Sequence, residues 1–148
     1  MKILLVSSVG GHLTELMELA PVLREHEVVL VLNDSVALPD FPFRRVYRIA
    51  HAERDLRVLV NLWEAAVILE SERPQVIVSA GAGPAVPVAL AARLLTNARV
   101  IFIETAAAVE RPTLTGRLMY PLAHKFYVQW PALLRWFPRA ELLPLVFR

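Results

Sequence analysis

Apolar residues follow two rhythms along this chain, and their alternation sets the fold class. Strands are expected at 3–6 (Ile3-Leu4-Leu5-Val6), 27–32, 75–79 and 99–104, each built on a short apolar run with the continuity of a strand covered on both faces. Helical spacing separates them: Leu13, Leu16, Met17 and Ala20 after the first run, then residues 55–70 and 85–95. Pro84 suits a first helical turn, whereas Pro21 should kink or end the first helix. Further strands are expected at 45–49, 125–129 and 142–147, with a short helix at 115–122 and a helical turn at 131–136. A loop with Pro39 and Pro42 spans 33–43. Strand-helix alternation predicts an α/β, Rossmann-like doubly wound parallel sheet, one domain over residues 1–148, with helices on both faces.

In such sheets ligands bind beyond the carboxyl ends of the strands. Three marked loops fall there: 7–12 (Ser7-Ser8-Val9-Gly10-Gly11-His12), 79–84 (Ser79-Ala80-Gly81-Ala82-Gly83-Pro84) and 104–112. Gly10 and Gly11 let a ligand approach the backbone at a strand-to-helix turn, where a helix N-terminus favours an anion. His12 adds a side chain suited to proton transfer near neutral pH. Glu104, closing the strand Val100-Ile101-Phe102-Ile103, is either a solvated strand end or a group of the site. His26, His51 and His124 lack metal-ligand spacing and read as structural or exposed, and the cluster of His51, Glu53 and Asp55 reads as a solvated loop.

Composition narrows the function classes. There is no cysteine, hence no disulfide and no thiolate chemistry. The cations are arginine except Lys2 and Lys125, and acidic residues interrupt them, so no nucleic-acid stripe forms. No apolar run reaches membrane-span length, and the first one is too short for a signal peptide, which predicts a cytosolic chain. A dinucleotide site would use Asp34 after the second strand, but Ser8 and Leu13 occupy the places of the first and third fingerprint glycines. No phosphate-binding Gly-Lys-Ser/Thr is present, and no cofactor or metal is expected.

The loop Ser8-Val9-Gly10-Gly11-His12 resembles the glycine-histidine loop of MurG-type glycosyltransferases, with Ser8 in place of a glycine. Residues 79–84, and Ile103-Glu104 followed by Leu114-Thr115-Gly116, resemble that group's second and third loops. With Pro112-Thr113-Leu114-Thr115-Gly116-Arg117 and Lys125-Phe126-Tyr127-Val128-Gln129-Trp130, nearly the whole chain is similar to a half-sized relative. This is the bacterial PssD-like family of exopolysaccharide synthesis, akin to asparagine-linked glycosylation protein fourteen of eukaryotes. The resemblance implies the acceptor-side half of a split, inverting GT-B glycosyltransferase. A separate subunit would bind a UDP-sugar. The acceptor would be a lipid-pyrophosphate-linked saccharide at the inner membrane face, met by peripheral contact.

That resemblance also assigns roles. His12 becomes the candidate base and Glu104 its rival. Ser8, Gly10, Gly11, Gly81 and Gly83 become the walls of the acceptor site, with Arg111 and Arg117 available to phosphate. Two stretches are candidate contact surfaces. The 55–70 helix, which includes Trp63, is apolar around most of its circumference, with a polar strip of Arg57, Asn61 and Glu64. Residues 130–139 mix Trp130, Trp136 and Phe137 with arginines, and with the last strand they suit a partner subunit. Two alternatives stay open: a noncatalytic scaffold that recruits the donor-binding subunit, and a nucleotide-binding oxidoreductase domain.

Overall fold

The structure, a computed structural model, describes residues 1–51 and 55–145. The elements are β1 (Lys2–Ser7), α1 (Gly11–Met17), α2 (Ala20–Leu23), β2 (Glu27–Leu32), β3 (Arg45–Arg48), α3 (Arg57–Glu72), β4 (Val76–Ala80), α4 (Ala85–Leu95), β5 (Arg99–Ile103), α5 (Leu114–Met119), β6 (Lys125–Val128) and β7 (Glu141–Leu142). A short 3₁₀ turn, Pro131–Arg135, precedes β7. All the strands pair in parallel, in the order β3-β2-β1-β4-β5-β6-β7. The chain therefore reverses its direction of growth between β1 and β4, which opens a crevice at their carboxyl ends.

Strand periodicity divides the core. Leu4, Val6, Val29, Val31, Ile77, Val100 and Phe102 face α3, α4 and α5. Ile3, Leu5, Val28, Leu30 and Val78 face α1 and α2, with Phe41 of the 33–43 loop beside them. Proline sets several boundaries. The first helix ends at Met17, and Pro21 sits in the first turn of α2, where its missing N–H is not needed. Pro87 is tolerated in α4 for the same reason. Arg73 ends α3 in a left-handed conformation just before Pro74.

One expectation is corrected here. The strand at 142–147 contracts to Glu141–Leu142, and Leu145 is buried beyond it. Residues 146–148 lie outside the described residues, as does Glu53. The polar strip of α3 divides, with Arg57 exposed and the other two residues turned inward. Asn61 is buried at 3 % exposure, and Glu64 turns back to accept a hydrogen bond from the Ala50 amide at 3.1 Å. Leu59 and Trp63 instead face outward, Trp63 at 68 % exposure. Only Ala65, Ile68, Leu69 and their neighbours in the second half of the helix bury an apolar face. There Glu72 is enclosed by Lys2, Arg45 and the Tyr47 hydroxyl, and these cationic and hydroxyl partners hold its carboxyl below the ordinary range against the opposing effect of burial.

Candidate functional site

The three marked loops meet at the carboxyl edge of the sheet. Gly10, at φ 90°, turns the chain into α1 and places His12 in its first turn. Gly81, at φ 67°, donates its amide to the Ile103 carbonyl at 2.9 Å and so ties the second loop to the end of β5. A side chain at Gly81 is excluded by more than its backbone. A Cβ there would lie 2.7 Å from His12 Nδ1 and 2.8 Å from the Thr105 Cβ. The His12 ring therefore rests on Gly81 and Thr105, half-buried, with Nδ1 buried and without a hydrogen-bond partner among the described residues. Gly10, Gly11 and Gly83 face open space and leave their backbone uncovered by side chains.

Glu104 does not stand at the surface as a free base. It is fully buried. Its Oε1 accepts from the Thr105 amide at 3.1 Å and from Thr113 Oγ1 at 2.9 Å, and its Oε2 accepts from the Thr113 amide at 3.1 Å. Thr113 is also the N-cap of α5, accepting from the Gly116 amide at 2.9 Å. Glu104 thus pins the third loop and the start of α5, with Gly116 pressed against its carboxyl group. This geometry makes it an organiser of the loop, with both oxygens engaged by local donors.

Burial raises the Glu104 pKa above the ordinary 4.5, while the hydrogen bonds from Thr113 and Thr105 and the nearby His12 pull the other way. Relative to the unfolded chain, folding therefore shifts the balance towards the protonated acid. The stability this brings is full below the unfolded value and is lost as pH rises through the raised folded value. Glu104→Gln should lower Tm, because an amide NH₂ must then face N–H donors, at a cost of about 1–3 kcal/mol. The Tm gap between the parent and Glu104→Gln should be widest below the ordinary carboxyl value and narrow as pH rises through the raised one. A pH-independent gap in thermal melts would contradict this reading.

A second polar network braces the same edge. Glu15, one turn beyond His12, accepts from Thr105 Oγ1 at 2.8 Å, the Ala106 amide at 3.2 Å and Gln129 Nε2 at 3.2 Å. Gln129 also donates to the Glu104 carbonyl at 3.1 Å and accepts from the Leu145 amide. Sequence reasoning passed over Glu15, Thr105, Thr113 and Gln129. The available signals were weak: Glu15 shares a helix face with His12, and Thr113 has N-cap chemistry.

The remaining predicted residues divide into separate places. Ser8 and Gly83 line a groove of about 560 Å³ with Asn33, His51 and Asn61 on one side and Leu114 and Leu118 on another. His51, read from sequence as structural or exposed, thus borders a cleft and hydrogen-bonds Asn33 at 2.9 Å. Arg111 and Arg117 do not line this groove. They form a shallow hollow with Arg135 and Trp136, in which the Arg117 and Arg135 guanidinium groups stand 5.4 and 5.7 Å from the Trp136 ring centre. Trp130 is half-buried and donates to the Ala106 carbonyl at 2.7 Å, while Trp136 is exposed. Phe137 is no contact residue. It is buried between the rings of Tyr120 and Phe126, with centres 4.9 and 4.6 Å away. Among the described residues no cluster suits a metal ion, and no helix is long and apolar enough to cross a membrane.

Known proteins share this architecture. MurG of Acinetobacter baumannii superimposes with a TM-score of 0.72 at 18% identity, over 88% of this chain and 41% of that one. The UDP-GlcNAc 2-epimerase of Methanocaldococcus jannaschii gives 0.73 at 15% identity, over 96% of this chain and 46% of its own. In both cases the match takes in less than half of the larger protein. Sequence similarity goes further than fold. The UDP-N-acetylglucosamine transferase subunit ALG14 of Yarrowia lipolytica is 30% identical over 72% of this chain, which spans about half of that relative (52%). The human protein of the same name is 24% identical over 97% of this chain and 82% of its own length. The family described as oligosaccharide biosynthesis protein Alg14 like matches residues 44–146, from the start of β3 through the Glu104–Thr113 lock to the end of the sheet. With most of its length inside that match, the chain belongs to the Alg14-like family.

Proposed function

We propose that this chain is the acceptor-side subunit of a two-component, inverting glycosyltransferase. It moves a sugar from a UDP-sugar to a lipid-pyrophosphate-linked saccharide. The observation that carries the reading is the convergence of His12, Gly81 and Thr105 at the open edge of one Rossmann-like domain. A single such domain supplies one wall of a cleft. The names of the family relatives, UDP-N-acetylglucosamine transferase subunits, favour UDP-N-acetylglucosamine as donor.

In this reading the acceptor hydroxyl oxygen attacks the anomeric carbon of the donor sugar. The bond from that carbon to the UDP oxygen breaks, UDP leaves with the electron pair, and His12 takes the hydroxyl proton. Glycine backbone at Gly10 and Gly11 lets the pyrophosphate approach closely. Membrane contact is peripheral, through the outward Leu59 and Trp63 of α3. Arg117 of α5 shares a hollow with Arg111 and Arg135, and no carboxylate among the described residues forms an ion pair with them, which suits lipid phosphates. The partner has two candidate surfaces. One is the exposed Trp136. The other is an apolar groove of about 330 Å³ on the opposite sheet face, lined by Val76, Ile101, Tyr127 and Leu143 beside α2.

The test is transfer of radiolabelled N-acetylglucosamine from its UDP donor to a membrane extract of lipid-pyrophosphate acceptors. Turnover is expected when the chain is mixed with its donor-binding subunit and not from either protein alone. Robust transfer by the purified chain would sink the split-enzyme reading.

A further inference from the structure

Two asparagines that line the groove beside the His12 edge each keep a buried amide oxygen without a donor among the described residues. Asn61 lies within α3, is only 3 % exposed, and lines the groove, yet its Oδ1 is buried with no hydrogen-bond donor among the described residues. Asn33, after β2, lines the same groove and leaves its own Oδ1 buried and unpaired, while its Nδ2 is engaged with His51. Buried polar atoms are normally satisfied, and an unpaired pair in one cleft indicates a missing partner. Of the inward residues further along α3, Ala65, Ile68 and Leu69 are apolar and Glu72 is fully partnered by Lys2, Arg45 and Tyr47, so an asparagine with an unpaired oxygen is not what core packing alone requires.

The chemistry of the lining selects the occupant. Among the described residues the groove carries neither a cation nor a carboxylate; its polar groups are the hydroxyls of Ser8 and Thr115, His51, and the two amides. A phosphate offers acceptors, not the donors that both amide oxygens need. An acyl chain would leave both unpaired. A sugar ring presents hydroxyl donors at its rim and apolar C–H faces, which match the Leu114 and Leu118 wall. Ser8 and Gly83 lie on the same two loops as His12 and Gly81, so the groove opens at the same sheet edge as the candidate base, which does not itself line it.

We propose that this groove is a neutral saccharide subsite and that Asn61, with Asn33, determines which sugar of the acceptor is held beside His12. The proposal rests on the glycosyltransferase reading above for the identity of the acceptor, but its binding test does not need turnover. In ¹⁵N-labelled full-length chain, millimolar N-acetylglucosamine or glucose should shift the side-chain amide signals of Asn61 and Asn33, and inorganic phosphate should leave them in place. Asn61→Leu should weaken sugar binding about tenfold, the effect of losing one well-placed hydrogen bond. Asn61→Asp keeps an acceptor oxygen and should retain binding, and it serves as the control if the leucine variant folds poorly by circular dichroism. In the assembled transferase, Asn61→Leu should raise the acceptor KM by a similar factor with kcat little changed. If neither sugar moves the amide signals while the parent complex transfers sugar, the subsite is overturned and the enzyme reading stands. If sugars bind at Asn61 but no complex transfers, the subsite stands and the enzyme reading falls. Undiminished binding by a folded Asn61→Leu, or lost binding by a folded Asn61→Asp, would overturn the role given to Asn61.

Discussion

His12→Ala should cut turnover of the assembled complex by about 10²–10⁴-fold, the usual cost of removing a general base. Its thermal stability should barely change. The ring is half-buried and its Nδ1 makes no hydrogen bond among the described residues, so the substitution strands no partner. Gly81→Ala tests the same position from beneath. Its Cβ would collide with the His12 ring and Thr105, and φ 67° disfavours any side chain. Activity should fall there too, through displacement of the ring, with a measurable loss of stability that His12→Ala lacks. Steady-state transfer assays set beside thermal melts separate the two. Near-parent turnover by His12→Ala would return the chain to the scaffold reading, in which it recruits the donor-binding subunit without chemistry of its own.

Gly116→Ala should destabilise the domain by about 3 kcal/mol or more, the upper range for forcing extra atoms into a closed core. A Cβ at Gly116 would fall 1.9 Å from Glu104 Oε2. Relief is difficult, because Glu104 is fully buried and held by Thr105 and Thr113. Either the carboxylate gives up its hydrogen bonds, or α5 moves off the sheet and takes Met119 out of the core. Chemical denaturation of the purified chain measures the loss. A shift well below 1 kcal/mol would mean that the lock between Glu104 and α5 is loose, and would weaken the assignment of Glu104 as an organiser.

The docking readings illustrate how far a linear pattern reaches. Residues 130–139 carry the aromatic and arginine content of an interface, but content does not tell which ring faces out. Trp136 stays exposed under two guanidinium groups, whereas its neighbour Phe137 closes a ring cluster with Tyr120 and Phe126. The same limit applied to α3. A helix apolar on most sides gives no unique inward face, and the packing chose one that contains Asn61 and Glu72.

Sequence by itself determined the strand-helix order, the parallel sheet and the three loops at its carboxyl edge. Those signals are local: a doubly covered strand must be continuously apolar, and proline and glycine punctuate elements wherever they stand. It also singled out His12, because a histidine directly after two glycines at a strand end is visible in seven consecutive letters. Tertiary structure alone decided the fates of Glu104, Asn61 and Phe137. Glu104 is an organiser because Thr113 and Gly116, far along the chain, close over it. Asn61 is a groove residue because Ser8, Asn33 and Leu118 come to lie around it from three other segments. Burial and hydrogen-bond satisfaction are properties of the atoms that arrive from elsewhere in the chain, and no local pattern specifies which ones will.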